Sequence, residues 1–499
     1  MKHLNIVLAA VAAICASACA SKSESNPVTI GIVPAPTKLE VVEGKFVSAE
    51  NASKVTTRIN TSLAEEEYTL TIGRRGVEIA GGSETGVFWA IQTLEQIKVQ
   101  CPADSIPCLK VIDRPAFPYR GSHLDCSRHF FSVDEVKGWI DMMAIHKLNY
   151  FHWHLTDDQG WRLEIKKYPL LTEIGSVRAQ TKVGHYNDKA QGYDNTPYGG
   201  FYTQEEAREI VEYAAERHIQ VIPEIEMPGH AVAAVTAYPW LGCSGKQVKV
   251  RETWGISDEV FCVSKNEVLD FIKDVIDEVC DIFPCEYFNI GGDECPTTEW
   301  EKCPSCQAYM KEHGIDTARG LQYDFTAKVE QYVLSKGRKM LGWQELADGC
   351  SDASTTILAW LGAEAGIKAA AKGMHTVMCP SQWCYLDYYQ TREREKREPL
   401  AIGGYLPLSS VYSFDPLEGI PAEQHHFVRG VQGNVWCEYI PTMSHAQHMA
   451  LPRLAAIAEI GWSGSEGKTS FDCFKARLTK GLVPVYQARG YNYATYEWE

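Results

Sequence analysis

No stretch of about 18 consecutive apolar residues occurs in the chain, so none of it reads as a membrane-spanning helix. Nor is there an excess of positive charge. Against 48 Lys and Arg stand 64 Asp and Glu, for a net charge of −16. Without a basic stripe to follow a phosphate backbone, nucleic acid is not an expected partner. No Gly-x-Gly-x-x-Gly turn marks a dinucleotide site, and no cofactor is expected. Cys303-x-x-Cys306 is half of a zinc pattern, but no second matching pair stands near it in the sequence, and the reading is no metal. Gly (39) and Pro (23) are in ordinary proportion for 499 residues, which removes collagen-like and low-complexity classes.

What is present is material for a core: 45% hydrophobic and 22% charged residues. Aromatics make up 11% and include 13 Trp, a generous supply of flat surfaces for stacking. The N-terminus reads as a lipoprotein export signal over residues 1–18. Lys2 and His3 precede an apolar run too short to span a bilayer, and Ala16-Ser17-Ala18 leads to Cys19, the expected lipidated residue. Small and polar residues then form a tether to residue 27. The expected location is the cell envelope, with the membrane met only through a lipid anchor. Setting aside Cys15 and Cys19 leaves 15 of the 17 cysteines, an odd number, so at least one thiol stays free. Cys243 and Cys262 bracket a loop containing Gly245 and Trp254 and are the candidate disulfide; Cys101 and Cys108 bracket another short loop.

Residues 28–114 read as a small α+β domain. Strands are expected at 68–72 and 77–79 around a Gly73–Gly76 turn, then a helix over 85–99 with Val87, Ile91, Leu94 and Ile97 on one face. Over 115–499 one theme repeats: a short apolar strand, a polar or aromatic end, then a helical stretch. Eight such strands are expected, at 119–124, 148–155, 219–225, 287–291, 339–343, 355–360, 375–378 and 428–436. Capping boxes at Ser132-x-x-Glu135, Thr203-x-x-Glu206 and Ser264-x-x-Glu267 start three helices. Eight β-then-α units predict an α/β fold, a (β/α)8 TIM barrel, with a doubly wound open sheet as the alternative.

Reactive groups of such a barrel lie at the C-terminal strand ends. There the sequence places Asp125, Arg128 and His129, then His152, His154, Asp157 and Asp158, then Glu224, Glu226 and His230, then Asp293-Glu294 after two glycines. Trp343 and Trp360 end the fifth and sixth strands. Trp383, Tyr385 and Asp387 follow the seventh, and Trp436 and Glu438 the eighth. Carboxylates and several Trp around one mouth describe a sugar pocket, with rings stacking on C–H faces and charged groups binding hydroxyls. His152 and His154 with Asp157 and Asp158 also carry metal-ligand chemistry, but such alternating residues more often hydrogen-bond. Consecutive Asp293 and Glu294 cannot easily flank a glycosidic bond from opposite sides. They can serve adjacent points on one substrate, as when its own 2-acetamido oxygen is the nucleophile.

These motifs resemble the β-N-acetylhexosaminidases of glycoside hydrolase family 20 over nearly the whole mature length. The resemblance is carried by Arg120-Gly-Ser-His-Leu-Asp-Cys-Ser-Arg128, His152-Trp-His-Leu-Thr-Asp-Asp-Gln159, Pro223-Glu-Ile-Glu-Met-Pro-Gly-His230, Ile290-Gly-Gly-Asp-Glu294, Gly342-Trp343, Ala359-Trp360, Tyr385-Leu-Asp387 and Val435-Trp436-Cys-Glu438. It implies an exo-acting hydrolase of glycans ending in β-linked N-acetylhexosamine. Glu294 would be the acid/base, and Asp293 the acceptor of the acetamido N–H. Tyr385 would donate to the acetamido oxygen, and Trp343, Trp360 and Trp436 would wall the pocket. Arg128, Asp387 and Glu438 would bind hydroxyls, and Asp158 and His230 would support the acids from behind. Glu226 departs from the family's usual Asp, and no role is expected for Cys295. The alternatives are a non-catalytic glycan-binding lipoprotein on the same fold and a disaccharide-releasing, lacto-N-biosidase-like variant. The two acids argue against the former, since a binder has no use for them.

The anchor reading makes one direct prediction. Cys19→Ala should move the protein from the membrane to the soluble fraction with its kinetics unchanged; a variant that stays membrane-bound overturns it.

Overall fold

The computed structural model describes residues 30–102, 105–393 and 397–498. The signal and the whole tether, Cys19 included, lie outside the described residues. The first element is a five-stranded sheet of β1 (Lys38–Val47), β2 (Val55–Ile59), β3 (Tyr68–Gly73), β4 (Gly76–Gly81) and β5 (Ile106–Asp113), in the order β1-β5-β3-β4-β2. Only β2 and β4 pair in parallel. Tyr68, Leu70 and Ile72 alternate inward from β3, as period-2 patterning requires. They meet Val87, Trp89, Ala90, Leu94 and Ile97 of α1 (Glu84–Val99), which the Ser83 side chain caps through the Thr85 N–H. Three of the four expected face residues, Val87, Leu94 and Ile97, are buried; the fourth, Ile91, is exposed, because Trp89 and Ala90 take the inner stripe.

The second element is a closed, all-parallel eight-stranded barrel: β6 (Tyr119–Asp125), β7 (Tyr150–His154), β8 (Gln220–Glu224), β9 (Tyr287–Asn289), β10 (Lys339–Trp343), β11 (Thr356–Ala359), β12 (His375–Met378) and β13 (Val428–Val435). Closure is made by β13 on β6, over six consecutive residue pairs from Gly430↔Tyr119 to Val435↔Leu124. Each strand falls within or close to an expected segment, and the open-sheet alternative is excluded. At the floor of the barrel Tyr119 and Tyr150 stack at 4.4 Å, and Tyr287 meets both edge-on. Above them the interior turns polar, with His123, His152, His154 and Glu224 all buried.

Outside run the helices α2 (Val133–Ile145), α3 (Gln204–Ala215), α4 (Asn266–Ile282) and α5 (Pro304–His313) among others. The capping boxes at Ser132 and Thr203 are formed. The third is not. Helix α4 starts after Lys265 without a side-chain cap, and the Ser264 hydroxyl lies 3.3 Å from Cys306 Sγ instead. The expected Cys243–Cys262 disulfide is also absent: both are free thiols, as are Cys101 and Cys108. Cys262 lies 3.7 Å from Cys306 and 3.9 Å from Cys303, so a second cysteine pair does stand beside Cys303-x-x-Cys306. It was hidden because some 40 residues of chain separate the two loops.

The two elements are joined through buried charge. Lys147, fully buried, donates to Asp113 at 2.9 Å and to the Tyr68 hydroxyl at 2.8 Å. Trp462 donates its indole N–H to the same carboxylate at 2.9 Å and packs into the core of the sheet. Arg120 pairs with Glu66 and lies over the Trp462 ring at 5.0 Å. Removing one partner of a buried pair strands the other charge, so Lys147→Met should cost about 3–5 kcal/mol in urea unfolding. Lys147→Met with Asp113→Asn should cost clearly less than the sum of the two single changes; simple additivity refutes the coupling.

Candidate active site

The C-terminal end of β9 sets the geometry. After Asn289 the chain turns through Gly291 (φ +63°) and Gly292 (φ +90°), and Glu294 also has positive φ (+46°). A side chain at either glycine would be strained by the positive φ and would crowd its neighbours. A Cβ on Gly291 would lie 1.9 Å from a Glu226 carboxylate oxygen, and one on Gly292 2.2 Å from Leu346 Cδ2. The turn therefore needs these glycines, and it delivers two consecutive acids to one mouth. Asp293 is buried there and Glu294 is partly exposed, its side chain 37% accessible.

His230, at the end of the loop after β8, faces both. Its Nε2 lies 3.7 Å from Asp293 and 3.8 Å from Glu294, and its Nδ1 lies 3.2 Å from Asp157 and 3.7 Å from Asp158. Burial pulls the imidazole pKa down, but Asp157, Asp158 and Asp293 outweigh it and hold it well above its ordinary value. His230 thus stands among four carboxylates that favour its charged form. Burial raises the Asp293 pKa, with His230 opposing, and burial together with the Asp293 charge raises that of Glu294.

Asp157 is the hub behind them. Its carboxylate meets Arg128 Nη2 at 2.9 Å and His154 Nε2 at 3.0 Å besides His230. Burial would raise its pKa; Arg128 and His230 outweigh that and keep it ionised. His154 in turn contacts Glu224, which also meets His152 at 2.9 Å, Asn289 at 3.1 Å and the Trp343 indole N–H at 2.9 Å. The histidines of the possible metal cluster are thus engaged in hydrogen bonds with carboxylates. Glu226 stands beside His154 and Glu224: burial, Asp293 and Glu224 raise its pKa well above the usual range, and it accepts the Gly292 N–H at 3.2 Å.

On the far side Arg128 is fixed by Asp125 (3.0 Å) and Gln159 (3.1 Å), lies over the Trp436 ring at 5.1 Å, and reaches Glu438 at 4.0 Å. Burial lowers the guanidinium pKa, yet Asp157 and Asp125 more than offset it. Trp436 faces Trp343 at 5.7 Å and Tyr385 at 6.4 Å, and Tyr385 stacks on Trp360 at 6.0 Å, so the four aromatic residues form one wall. Asp387 and Glu438 stand beside it. Among the described residues both oxygens of Asp387, Oε2 of Glu438 and Oδ1 of Asp293 are buried without a hydrogen-bond partner. Burial, then mutual repulsion, raises the Asp387 pKa well above normal. Buried acceptors without donors mark the positions where a polyhydroxylated ligand would supply them.

The structure thus brings Arg128, Asp158, His230, Asp293, Glu294, Trp343, Trp360, Tyr385, Asp387, Trp436 and Glu438 to one mouth. It does not bring Trp383, which stacks on Phe414 at 5.1 Å. Asp157, not Asp158, is the nearer carboxylate to His230. The site also includes Glu345, which accepts the Trp360 indole N–H at 3.2 Å and whose pKa burial and Asp293 push up to about 7. Its signal was its place two residues beyond the end of β10, but Trp343 alone was taken from that strand end.

Comparison with known proteins agrees with this geometry. Residues 117–465 match the family model "Glycosyl hydrolase family 20, catalytic domain", and residues 31–114 match "Glycosyl hydrolase family 20, domain 2". A beta-hexosaminidase of Porphyromonas gingivalis is 44% identical over 442 residues, covering 86% of this chain, which spans 55% of that protein's length. One of Akkermansia muciniphila is 35% identical, with 90% of this chain and 88% of that one covered. Among solved structures, a beta-N-acetylhexosaminidase superposes with a TM-score of 0.85 at 33% identity, covering 93% and 96% of the two chains. An exo beta-N-acetylglucosaminidase from Vibrio harveyi in complex with N-acetylglucosamine gives 0.82 at 32%, covering 97% and 81%.

The buried charge chain predicts a pH dependence. Burial lowers the His154 pKa, but Glu224 and Asp157 raise it overall from 6.5 to about 10. A raised histidine pKa stabilises the fold fully below the unfolded value and loses that contribution as pH rises through the folded one. The melting-temperature gap between wild type and His154→Gln should therefore be widest at or below pH 6.5 and shrink towards pH 10. A gap independent of pH overturns the assignment.

Proposed function

Because the chain belongs to glycosyl hydrolase family 20, we propose that it is an exo-acting β-N-acetylhexosaminidase. It removes terminal β-linked N-acetylglucosamine or N-acetylgalactosamine from glycans with retention, the substrate's acetamido oxygen serving as nucleophile. The carrying observation is the pair Asp293 and Glu294 on one turn, with one oxygen of each and a His230 nitrogen all within 4.8 Å of one another. Two carboxyls on the same side of a bond do not suit a protein nucleophile facing an acid. They do suit an acid and a stabiliser of adjacent substrate groups.

Glu294 protonates the leaving oxygen. Its pKa, raised by burial and by Asp293, keeps the proton available nearer neutrality than a free glutamate would. Asp293 accepts the acetamido N–H and offsets the positive charge of the oxazolinium as it forms, an effect strengthened where water is excluded. His230, backed by Asp157 and Asp158, faces both acids and favours their charged forms. Trp343 and Trp360 enclose the acetamido methyl, Tyr385 donates to its oxygen, and Trp436 stacks on the ring. Arg128 donates to sugar hydroxyls, and the partnerless oxygens of Asp387 and Glu438 accept from them. Among the described residues no helix is long and apolar enough to cross a membrane. The cell envelope, reached through a lipid on Cys19, is the proposed location, resting on the N-terminal sequence pattern.

Glu294→Gln should reduce kcat by roughly 10²–10⁴-fold on substrates with poor leaving groups and far less on activated aryl glycosides. Equal losses on both remove Glu294 as the acid. A thiazoline analogue of the oxazolinium should bind much more tightly than N-acetylglucosamine. Asp293→Ala should lose most of that preference while still binding the product sugar. Covalent capture of a 2-fluoro sugar on a carboxylate would replace this mechanism with a protein nucleophile.

A further inference from the structure

Away from the sugar-facing mouth, four cysteines from two barrel loops converge. Cys243 follows the 3-10 turn Pro239–Leu241 in the loop after β8. Cys262 follows Phe261, which bridges back to Gly242 in the same loop. Cys303 and Cys306 sit at the start of α5, in the segment after β9. The Sγ atoms of Cys243 and Cys306 are 3.9 Å apart, those of Cys262 and Cys303 3.9 Å, and those of Cys262 and Cys306 3.7 Å. All four lie within 4.8 Å of one another. A disulfide requires about 2.05 Å. Four thiolates each about 2.3 Å from a zinc ion, at the corners of a tetrahedron, stand about 3.8 Å apart. The measured separations match the tetrahedron.

We propose that Cys243, Cys262, Cys303 and Cys306 hold a structural zinc ion that clips the loop after β8 to the segment after β9. Three of the four are buried and Cys243 is half-buried, as a closed site requires. Soft thiolates in a tetrahedral set select zinc among the common divalent ions, and four protein ligands leave no position open for catalysis. Binding releases the thiol protons and leaves four thiolates on one dication, an excess of two negative charges. The surroundings answer that excess. The Ser305 hydroxyl lies 3.0 Å from Cys303 Sγ and the Ser264 hydroxyl 3.3 Å from Cys306 Sγ. Outer hydroxyls of this kind orient ligands and tune the metal. Cys303 and Cys306 stand at the positive end of the α5 dipole. Lys265 brings a cation to the loop, donating to the Trp240 and Gly242 carbonyls at 2.7 and 2.9 Å. Ser264 serves the thiols rather than α4, which accounts for the unmade capping box.

The clip has a position as well as a chemistry. Phe261, next to Cys262, donates its N–H to the Pro228 carbonyl at 2.9 Å, two residues before His230. Its own carbonyl accepts the Trp300 indole N–H at 2.8 Å, on the segment that follows Glu294. The ion thus ties together the two loops that present His230 and the acid pair. The competing state is two disulfides, whose formation would transfer four electrons and four protons from the thiols to an envelope oxidant.

Metal analysis of the full-length protein, purified without chelator or reductant and equilibrated with zinc chloride before desalting, should find one zinc per chain. Intact mass after denaturation should show all four residues as reduced cysteines. Cobalt(II) exchanged for zinc should give thiolate-to-metal charge-transfer absorption and a tetrahedral ligand-field spectrum. Cys306→Ser should lower zinc occupancy at least tenfold. If that variant fails to fold, the wild-type zinc content and cobalt spectrum still decide. Chelation should lower the melting temperature, and added zinc should restore it. Absent zinc, iron in its place, or a wild-type mass four hydrogens lighter with Cys243, Cys262, Cys303 and Cys306 in disulfides would overturn the proposal.

Discussion

Asp157 sits in the barrel mouth between three cationic groups, Arg128, His154 and His230, with no water-facing surface of its own. Isolated in that position its charge would be costly; among these partners it fixes each of them in turn. Arg128 is aimed past Trp436 towards Glu438, and His230 is held between the two acids of the β9 turn. Through His154 the chain extends to Glu224 and so to Trp343. Arg128, Asp293, Glu294, Trp343, Trp436 and Glu438 are therefore tied, directly or through one intermediate, to an alternation of buried charges that begins at one aspartate. A sugar pocket needs this rigidity. Its acceptors, both oxygens of Asp387 and Oε2 of Glu438, take no protein donor among the described residues, and flexible neighbours would turn in to satisfy them.

The same device recurs at lower cost in complexity where the N-terminal sheet meets the barrel. Asp113 gathers Lys147, Tyr68 and Trp462 in one dry contact, and Arg120 answers Glu66 beside it. Arg120 lies on β6, only a few residues before Asp125 and Arg128. The sheet thus braces the strand that opens the active-site wall. The cysteine cluster lies between the loops after β8 and β9, two to three strands further round the barrel. Both supports lie outside the mouth, and both act on the backbone that carries its reactive groups.

Much of this was legible in the linear chain. Eight short apolar strands followed by capped helices specify a parallel barrel, because a strand buried on both faces and a helix buried on one stripe leave different periodicities. The acid pair after the fourth strand and the other residues at strand ends followed from the topology of the fold. These are local or near-local properties: hydrophobic period, φ preference and hydroxyl caps act within a few residues of where they are written.

What the chain did not disclose depends on contacts between distant segments. Nothing near Asp157 distinguishes it from Asp158; only the folded barrel puts one of them against Arg128, His154 and His230 together. Glu345 looks like a helix-turn acid until Trp360, from the next strand, donates to it. The capping box at Ser264 obeyed every local rule and still was not formed, because Cys306, 42 residues away, brought its sulfur to the hydroxyl. Cys243 and Cys262 seemed partners for each other by proximity in sequence, yet the fold sets Cys303 and Cys306 against them at separations too long for a disulfide. Sequence determined which elements form and where the reactive turn lies, since those energies are local. Tertiary structure alone decided which charges pair and which thiols meet, since those energies depend on distances that only the closed barrel fixes.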